Sequence, residues 1–292
     1  MHAPKLRPVP ARRLKRAVKD LAINTRSLAR SAETSRGALL ALAELLNRAQ
    51  RRPERGPLSS YELRVFSQNG EDGVLDELLR RAGSTGAGFV EFGAGSGAEN
   101  NCALLADVHG WPGLFIESDA AAHGRLSRKY GPRDDVRTPR AHVTPENIEQ
   151  LLAEHDVPAE FDVLSIDIDG ADYWVWKAIR RFAPRIVVIE FNSALEPGRR
   201  LVQPHDLNDG WDRTTYFGAS LDAMALLGEQ KGYRLVHLEL TGTNAFFVRA
   251  DLPGEYPEGD AVLRRGPNQF LLSGAHAPDP GNRPFVDLDG DD

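Results

Sequence analysis

At 292 residues the chain is long enough for one good-sized domain with extensions, and its 41% hydrophobic and 27% charged residues are an ordinary balance for a globular protein. No apolar run reaches the length of a membrane span, and the single cysteine, Cys102, excludes an intrachain disulfide framework and a cysteine metal cage. The net charge of −6 is unevenly spread: residues 1–55 carry 14 Lys/Arg against 4 Asp/Glu, and the remainder carries 22 against 38.

The basic N-terminus lacks an apolar stretch with a cleavage site and is no secretory signal; being Arg-rich and acid-poor, it leaves a transit-peptide reading open. Lack of a span, a signal and disulfides favours the cytoplasm. Over 12–50 a heptad can be laid, with Leu14, Leu21, Leu28, Ser35 and Leu42 on one seam and Val18, Thr25, Ala32, Leu39 and Leu46 on the other. Seven of the ten are large enough to pack as knobs, which suggests a short coiled coil or a homodimer through this helix. The arm holds no aromatic residue for base stacking and the body is acidic, which argues against nucleic acid. Pro53, Gly56 and Pro57 mark a linker.

From residue 60 onward, strands and helices alternate. Ser67 or Asn69 is expected to cap a helix over 71–81. A strand over 89–92, a helix over 100–109, a strand over 114–116 and a helix over 120–130 follow. A weak strand over 136–143 leads to Thr144, which should cap a helix carrying Ile148, Leu151 and Leu152. Strand 161–168, helix 173–182 and the strongly apolar strand 186–191 come next. A polar stretch over 194–219 precedes a helix over 221–230, and strands 233–240 and 245–248 are close enough to pair antiparallel. Repeated strand–helix units imply an α/β fold: a Rossmann-like, seven-stranded, mostly parallel sheet with a C-terminal antiparallel pair, preceded by the helical extension. Beyond Leu252 the chain is rich in Pro, Gly and Asp and is expected to be loose, with 264–272 packing back on the body.

The segment Val90-Glu91-Phe92-Gly93-Ala94-Gly95-Ser96-Gly97-Ala98 follows a strand and opens a helix, where small residues let backbone approach a cofactor. Gly93, Gly95 and Ala98 satisfy a dinucleotide-binding pattern, with Glu117 about where its ribose acid belongs, so a NAD(P)-dependent oxidoreductase is a rival. Glu91 shifts the balance. A carboxylate buried in a strand needs a cationic or hydrogen-bonding partner. The ammonium of S-adenosylmethionine (SAM) supplies one; a nearby backbone amide is the plainer alternative. Acid-x-Gly-x-Gly-x-Gly resembles the first motif of class I SAM-dependent methyltransferases. Glu117, ending the second strand, can accept from both ribose hydroxyls. Gln68, ahead of the first strand, with Asn100 and Asp119 beside the turns, joins Glu91, Gly93, Gly95, Gly97, Glu117 and Asp167 as the expected cofactor side.

Asp167 and Asp169 fall on one face by strand alternation, and so do Glu190 and Asn192. If their strands are neighbours, these oxygen ligands suit a hard ion such as Mg²⁺, which would hold two substrate hydroxyls and lower the pKa of one. The alternative is that only Asp167 faces the site and Asp169 caps the next helix.

The run Ser165-Ile166-Asp167-Ile168-Asp169-Gly170-Ala171-Asp172-Tyr173 is similar to the corresponding turn of the FkbM-like methyltransferases, with matching elements from Phe66-Ser67-Gln68-Asn69-Gly70-Glu71-Asp72-Gly73 to Thr243-Asn244-Ala245-Phe246-Phe247. The resemblance covers about two-thirds of the chain. It implies the fold, SAM as cofactor, and O-methylation of a small-molecule or glycan acceptor. The N-terminal arm, the acidic tail and Asp169, where that family more often has Glu, depart from it. The insertion Gln203-Pro204-His205-Asp206-Leu207-Asn208-Asp209-Gly210-Trp211-Asp212 should hang over the cofactor with a composition suited to sugar, and His205 and Asp167 are the catalytic candidates. Trp174 and Trp176 should be rim and core of one helix, and Cys102 a small buried hydrophobe. The organisation expected is thus a basic extension over 1–57, a SAM-dependent methyltransferase domain over 58–252 and an acidic Pro/Gly-rich tail over 253–292. A non-catalytic SAM-fold scaffold assembling through the N-terminal helix is the third reading.

Overall fold

The computed structural model describes residues 56–205, 211–263 and 276–290. The heptad over 12–50, residues 206–210 of the insertion and the segment 264–272 lie outside the described residues. A 3-10 turn, Leu58–Tyr61, precedes helix α1 (Glu71–Ala82). The alternating units are β1 (Phe89–Phe92), α2 (Ala103–Asp107), β2 (Gly113–Ile116), α3 (Ala120–Tyr130), β3 (Val136–Arg137), α4 (Ile148–Glu154), β4 (Val163–Ile166), α5 (Asp172–Ala178) and β5 (Ile186–Glu190). Then come β6 (Leu201–Val202), α6 (Leu221–Gln230), β7 (Tyr233–Leu238), β8 (Asn244–Arg249), α7 (Gly259–Leu263) and β9 (Val286–Asp287). No helix among the described residues is long and apolar enough to cross a membrane.

The seven-stranded sheet runs β3-β2-β1-β4-β5-β8-β7. Strands β3, β2, β1, β4 and β5 are parallel, while β8 is antiparallel to both β5 and β7. This is the α/β architecture the alternation implied. Each face carries its own core because strand side chains alternate. Val90 and Phe92 pack with Leu114, Ile116, Leu164 and Ile166, whereas Phe89 joins Phe115, Val163 and Val188 on the other side. Each large apolar side chain so buried contributes about 1.5–3 kcal/mol. Trp176 is fully buried, and Trp174 sits at the rim with its indole N–H donating to the Gln203 carbonyl. Cys102 is buried. Strand order reverses between β1 and β4, so β1, β2, β4 and β5 end along one crevice, where a ligand is expected in such a sheet.

Several local expectations are corrected. Helix α1 is not capped by Ser67 or Asn69 as expected; its N-cap is Gly70, at φ 116°. Instead, Asp72 inside the helix reaches back, and one of its oxygens accepts the N–H groups of Val65, Phe66 and Ser67 at 2.7–2.8 Å and the Ser67 hydroxyl at 2.8 Å. Thr144 does not cap α4: the N-cap is Asn147, whose side chain accepts the Thr144 N–H. The weak strand over 136–143 shrinks to β3 plus one bridge between Glu117 and Arg140.

The tail is not loose in its described part. Strand β9 pairs antiparallel with β6, and Ala277 bridges Thr214. Arg283 binds Asp212 at 2.5 Å and Asp279 at 3.0 Å, and its guanidinium lies 4.0 Å from the Tyr216 ring centroid. Arg199–Asp287 and Arg200–Asp289 pairs flank the small sheet. Composition alone suggested looseness because the partners that tie the tail to the body, such as Asp212 for Arg283 and Arg199 for Asp287, lie 71 and 88 residues away in sequence.

Candidate functional site

The glycine turn after β1 abuts the end of β4. Gly93 has φ +70°, and a Cβ there would lie 1.6 Å from the Asp167 carbonyl oxygen, so the position tolerates only glycine. Gly95, at φ +52°, has open space where a Cβ would point. It lines two adjoining cavities of about 640 and 200 Å³, which share Gln68, Gly93 and Asp167 with it.

Glu117 closes one side. Its Oε2 accepts the Gly95 N–H and its Oε1 the Asp119 N–H, both at 2.6 Å. Each oxygen keeps a second lone pair, and the side chain lines the larger cavity beside Ile116, Ala122, His142 and Val143. The smaller cavity is lined by Gln68, Glu71, Glu91, Asn101 and Asn244. Glu91 is buried, and its two oxygens accept the N–H groups of Asn101 and Cys102 at 3.0 and 2.9 Å. The plainer alternative thus accounts for both of its oxygens. Burial still pushes its pKa up to about 7. Burial, then the Glu91 charge, pushes the Cys102 thiol up as well, so it is no thiolate nucleophile.

Asp167, Asp169 and Glu190 converge on the floor of the larger cavity, with one carboxylate oxygen from each lying within 4.8 Å of the others. Burial, reinforced by the charges of Asp172 and Asp169, holds Asp167 well above the usual carboxylate range. Burial and the Asp167 charge do the same to Glu190, whose Oε2 is buried with no hydrogen-bond partner. Asp169 is raised by burial and by Glu117, opposed by His276. Asp169 does not cap α5. The N-cap is Ala171, with no side-chain cap, and the first helical residue, Asp172, reaches back to accept the Ile168 and Gly170 N–H groups of the preceding turn at 2.9 Å.

Five expected site residues are not brought to the cavities. Asn192 donates to the Thr215 and Phe217 carbonyls and accepts from the Ala194 N–H, so its amide holds the insertion and is no fourth ligand. The alternation argument failed because β5 ends at Glu190 and the backbone turns beyond it. Asp119 is the N-cap of α3, accepting from Ala121 and Ala122. Asn100 donates to the Ala94 carbonyl inside the turn, and Gly97 packs on Leu126 of α3. Neither lines a described cavity.

His205 also falls elsewhere. Its Nε2 lies 2.8 Å from Glu146, its ring lies edge-on to Trp174, and it is absent from the cavity lining. The imidazoles in the cavity are His142 and His276. His276 stands 4.5 Å from the Trp211 ring and 5.7 Å from Phe217, centroid to centroid, and both rings also line the cavity. Nothing local in the sequence marks His142 or His276, which are single histidines in polar loops.

The residues present fit SAM. A turn with no Cβ at Gly95 leaves room for close approach, Glu117 offers a bidentate acceptor for a diol, and the smaller cavity is rich in carboxylate and amide oxygen that suits an ammonium group.

The family model of the methyltransferase FkbM domain matches residues 87–235. No curated protein matches the sequence significantly. Among solved structures, the N-terminal domain of EvdMO1 with S-adenosylhomocysteine bound is similar over 66% of this chain and 83% of its own, at 15% identity and a TM-score of 0.41. The CcbJ methyltransferase from Streptomyces caelestis is similar over 62% and 94%, at 15% identity and a TM-score of 0.38. A SAM-dependent methyltransferase from Aquifex aeolicus is similar over 60% and 89%, at 13% identity and a TM-score of 0.36.

Proposed function

The chain belongs to the FkbM methyltransferase family, and we propose that it transfers the methyl group of SAM to a hydroxyl of a saccharide, glycoside or related small molecule, assisted by Mg²⁺. The observation that carries the hydroxyl reading is the convergence of Asp167, Asp169 and Glu190 on the floor of a cavity continuous with the glycine turn. Oxygen-only donors in this number suit a hard divalent ion, which would neutralise the cluster and acidify an acceptor hydroxyl.

The bound cofactor supplies the reactive methyl on a sulfonium. Gln68, Glu71 and Glu91, which line the smaller cavity, would hold its amino-acid end, and Glu117, in the larger one, would hold the ribose diol. Gly93 and Gly95 let the backbone come close. Asp167 lines both cavities, where it accepts the acceptor's hydroxyl proton as the methyl is transferred. Alignment of donor and acceptor does much of the rest. A cytoplasmic location and a homodimer through the N-terminal segment belong to the same proposal and rest on sequence alone.

Isothermal titration calorimetry with SAM, S-adenosylhomocysteine and NAD⁺, each with and without Mg²⁺, tests this reading. Binding of both SAM compounds, followed by methylation of a glycoside that falls on Mg²⁺ removal, is expected. Binding of NAD⁺ alone would return the oxidoreductase reading. Binding of no cofactor would favour a scaffold.

A further inference from the structure

Part of the lining of the larger cavity is not built by the sheet. It is built by two segments far apart in sequence: residues 211–217, inside the domain match, and His276, which lies 41 residues beyond the end of that match at residue 235. Trp211 and Phe217 present rings to the cavity, and His276 stands against both, with interplanar angles of 77° and 88°.

This arrangement is held by more than one clamp. The Thr215 N–H donates to the Ala277 carbonyl at 2.9 Å, immediately beside His276. The Tyr216 hydroxyl donates to the Pro284 carbonyl at 2.9 Å. Arg283 ties Asp279 to Asp212, the residue next to Trp211. The indole N–H of Trp211 donates to the Thr214 carbonyl, which fixes the ring's tilt. Further along, β9 is zipped to β6. A loosely attached tail would need none of these.

We propose that residues 276–290 form a strap that completes the acceptor half of the site, and that Trp211 and His276 are its recognition residues for an uncharged pyranoside. The inference rests on the methyltransferase reading above. An indole face suits the apolar C–H face of a pyranose, and an imidazole offers one donor or acceptor to a ring hydroxyl. The lining holds no Lys or Arg among the described residues and four carboxylates, Glu117, Asp167, Asp169 and Glu190. Even with one Mg²⁺ held by Asp167, Asp169 and Glu190, the four carboxylates leave this lining net negative, so a sugar bearing a carboxylate or phosphate would meet like charge there.

The test is saturation-transfer difference NMR on the full chain loaded with S-adenosylhomocysteine, using methyl β-D-glucopyranoside and its uronate counterpart as probes. Transfer to the neutral glycoside is expected, and much less to the uronate. Trp211→Ala and His276→Ala should each weaken the neutral glycoside by about thirtyfold, the size of a hot-spot truncation. His276→Gln, which keeps a donor and an acceptor, should restore most of the signal that His276→Ala loses. S-adenosylhomocysteine affinity should be unchanged in all three variants, which separates recognition from misfolding. Wild-type transfer in the alanine variants, equal transfer to the uronate, or no transfer to the neutral glycoside from the loaded wild type would each overturn the assignment. Failure of the wild type to bind S-adenosylhomocysteine would instead overturn the methyltransferase reading, and the inference with it.

Discussion

Gly93 and Asp167 are packed backbone to backbone: a Cβ on the glycine would fall 1.6 Å from the aspartate's carbonyl oxygen. The turn that faces the cofactor and the strand end that carries the cluster are therefore one rigid unit. Gly93→Ala should cost about 4 kcal/mol or more, because backbone must move to admit the methyl group. Gly95→Ala meets no atom within 4 Å and should cost only the about 1–2 kcal/mol of a left-handed backbone. Its methyl points into the cofactor space, so S-adenosylhomocysteine affinity should fall while the fold survives. Thermal melts and calorimetry on both variants check the contrast; equal melting temperatures would contradict it.

Glu117→Gln replaces one acceptor oxygen with a donor, facing either the Gly95 or the Asp119 N–H. One charge-assisted bond becomes a clash of donors, and the ribose loses a bidentate acceptor. S-adenosylhomocysteine affinity should drop by about tenfold to a hundredfold. Calorimetry that finds wild-type affinity would remove Glu117 from the cofactor site.

Glu91 sets a pH signature. Its folded-state pKa, about 7, stands above the ordinary 4.5 because burial disfavours the charge. Between those values the folded chain binds more protons than the unfolded chain, so stability declines as pH rises from about 4.5 to 7 and is flat beyond. Glu91→Gln removes this contribution. Urea unfolding from pH 4.5 to 8 should show a shallower decline in the variant, and parallel wild-type and variant curves would contradict it.

The carboxylate cluster and Asn192 should respond in opposite ways. Asp167→Asn or Glu190→Gln removes a charged donor and should weaken Mg²⁺ or Mn²⁺ binding by at least about tenfold, since affinity follows ligand charge count. Asn192→Ala leaves the Thr215 and Phe217 carbonyls without their donor, which should cost about 1–3 kcal/mol of stability but leave metal affinity intact. Metal titration alongside denaturant unfolding separates the two.

Much of this protein is written locally. Near-continuous apolar runs such as 89–92 and 186–190, separated by helical stretches, determine the parallel sheet, because each strand must bury both faces. Glycines after an acid-bearing strand mark the cofactor turn, since the φ values of Gly93 and Gly95 are open to few other residues. The acids at the ends of β4 and β5 are legible for the same reason, and the register that aligns Ile166 with Ile189 brings them together. Three things were decided only in three dimensions. Asn192 turned away because alternation lapses where the strand stops. His205 found Glu146, a surface partner some 60 residues earlier, outside any local pattern. His276 reached the cavity because β9 pairs with β6 and Arg283 reaches Asp212, contacts that span 71 residues or more. Short-range pattern records which face a residue turns to its neighbours in a strand or helix. Where a loop or tail returns is set by long-range pairings, whose partners carry no mark of each other in sequence.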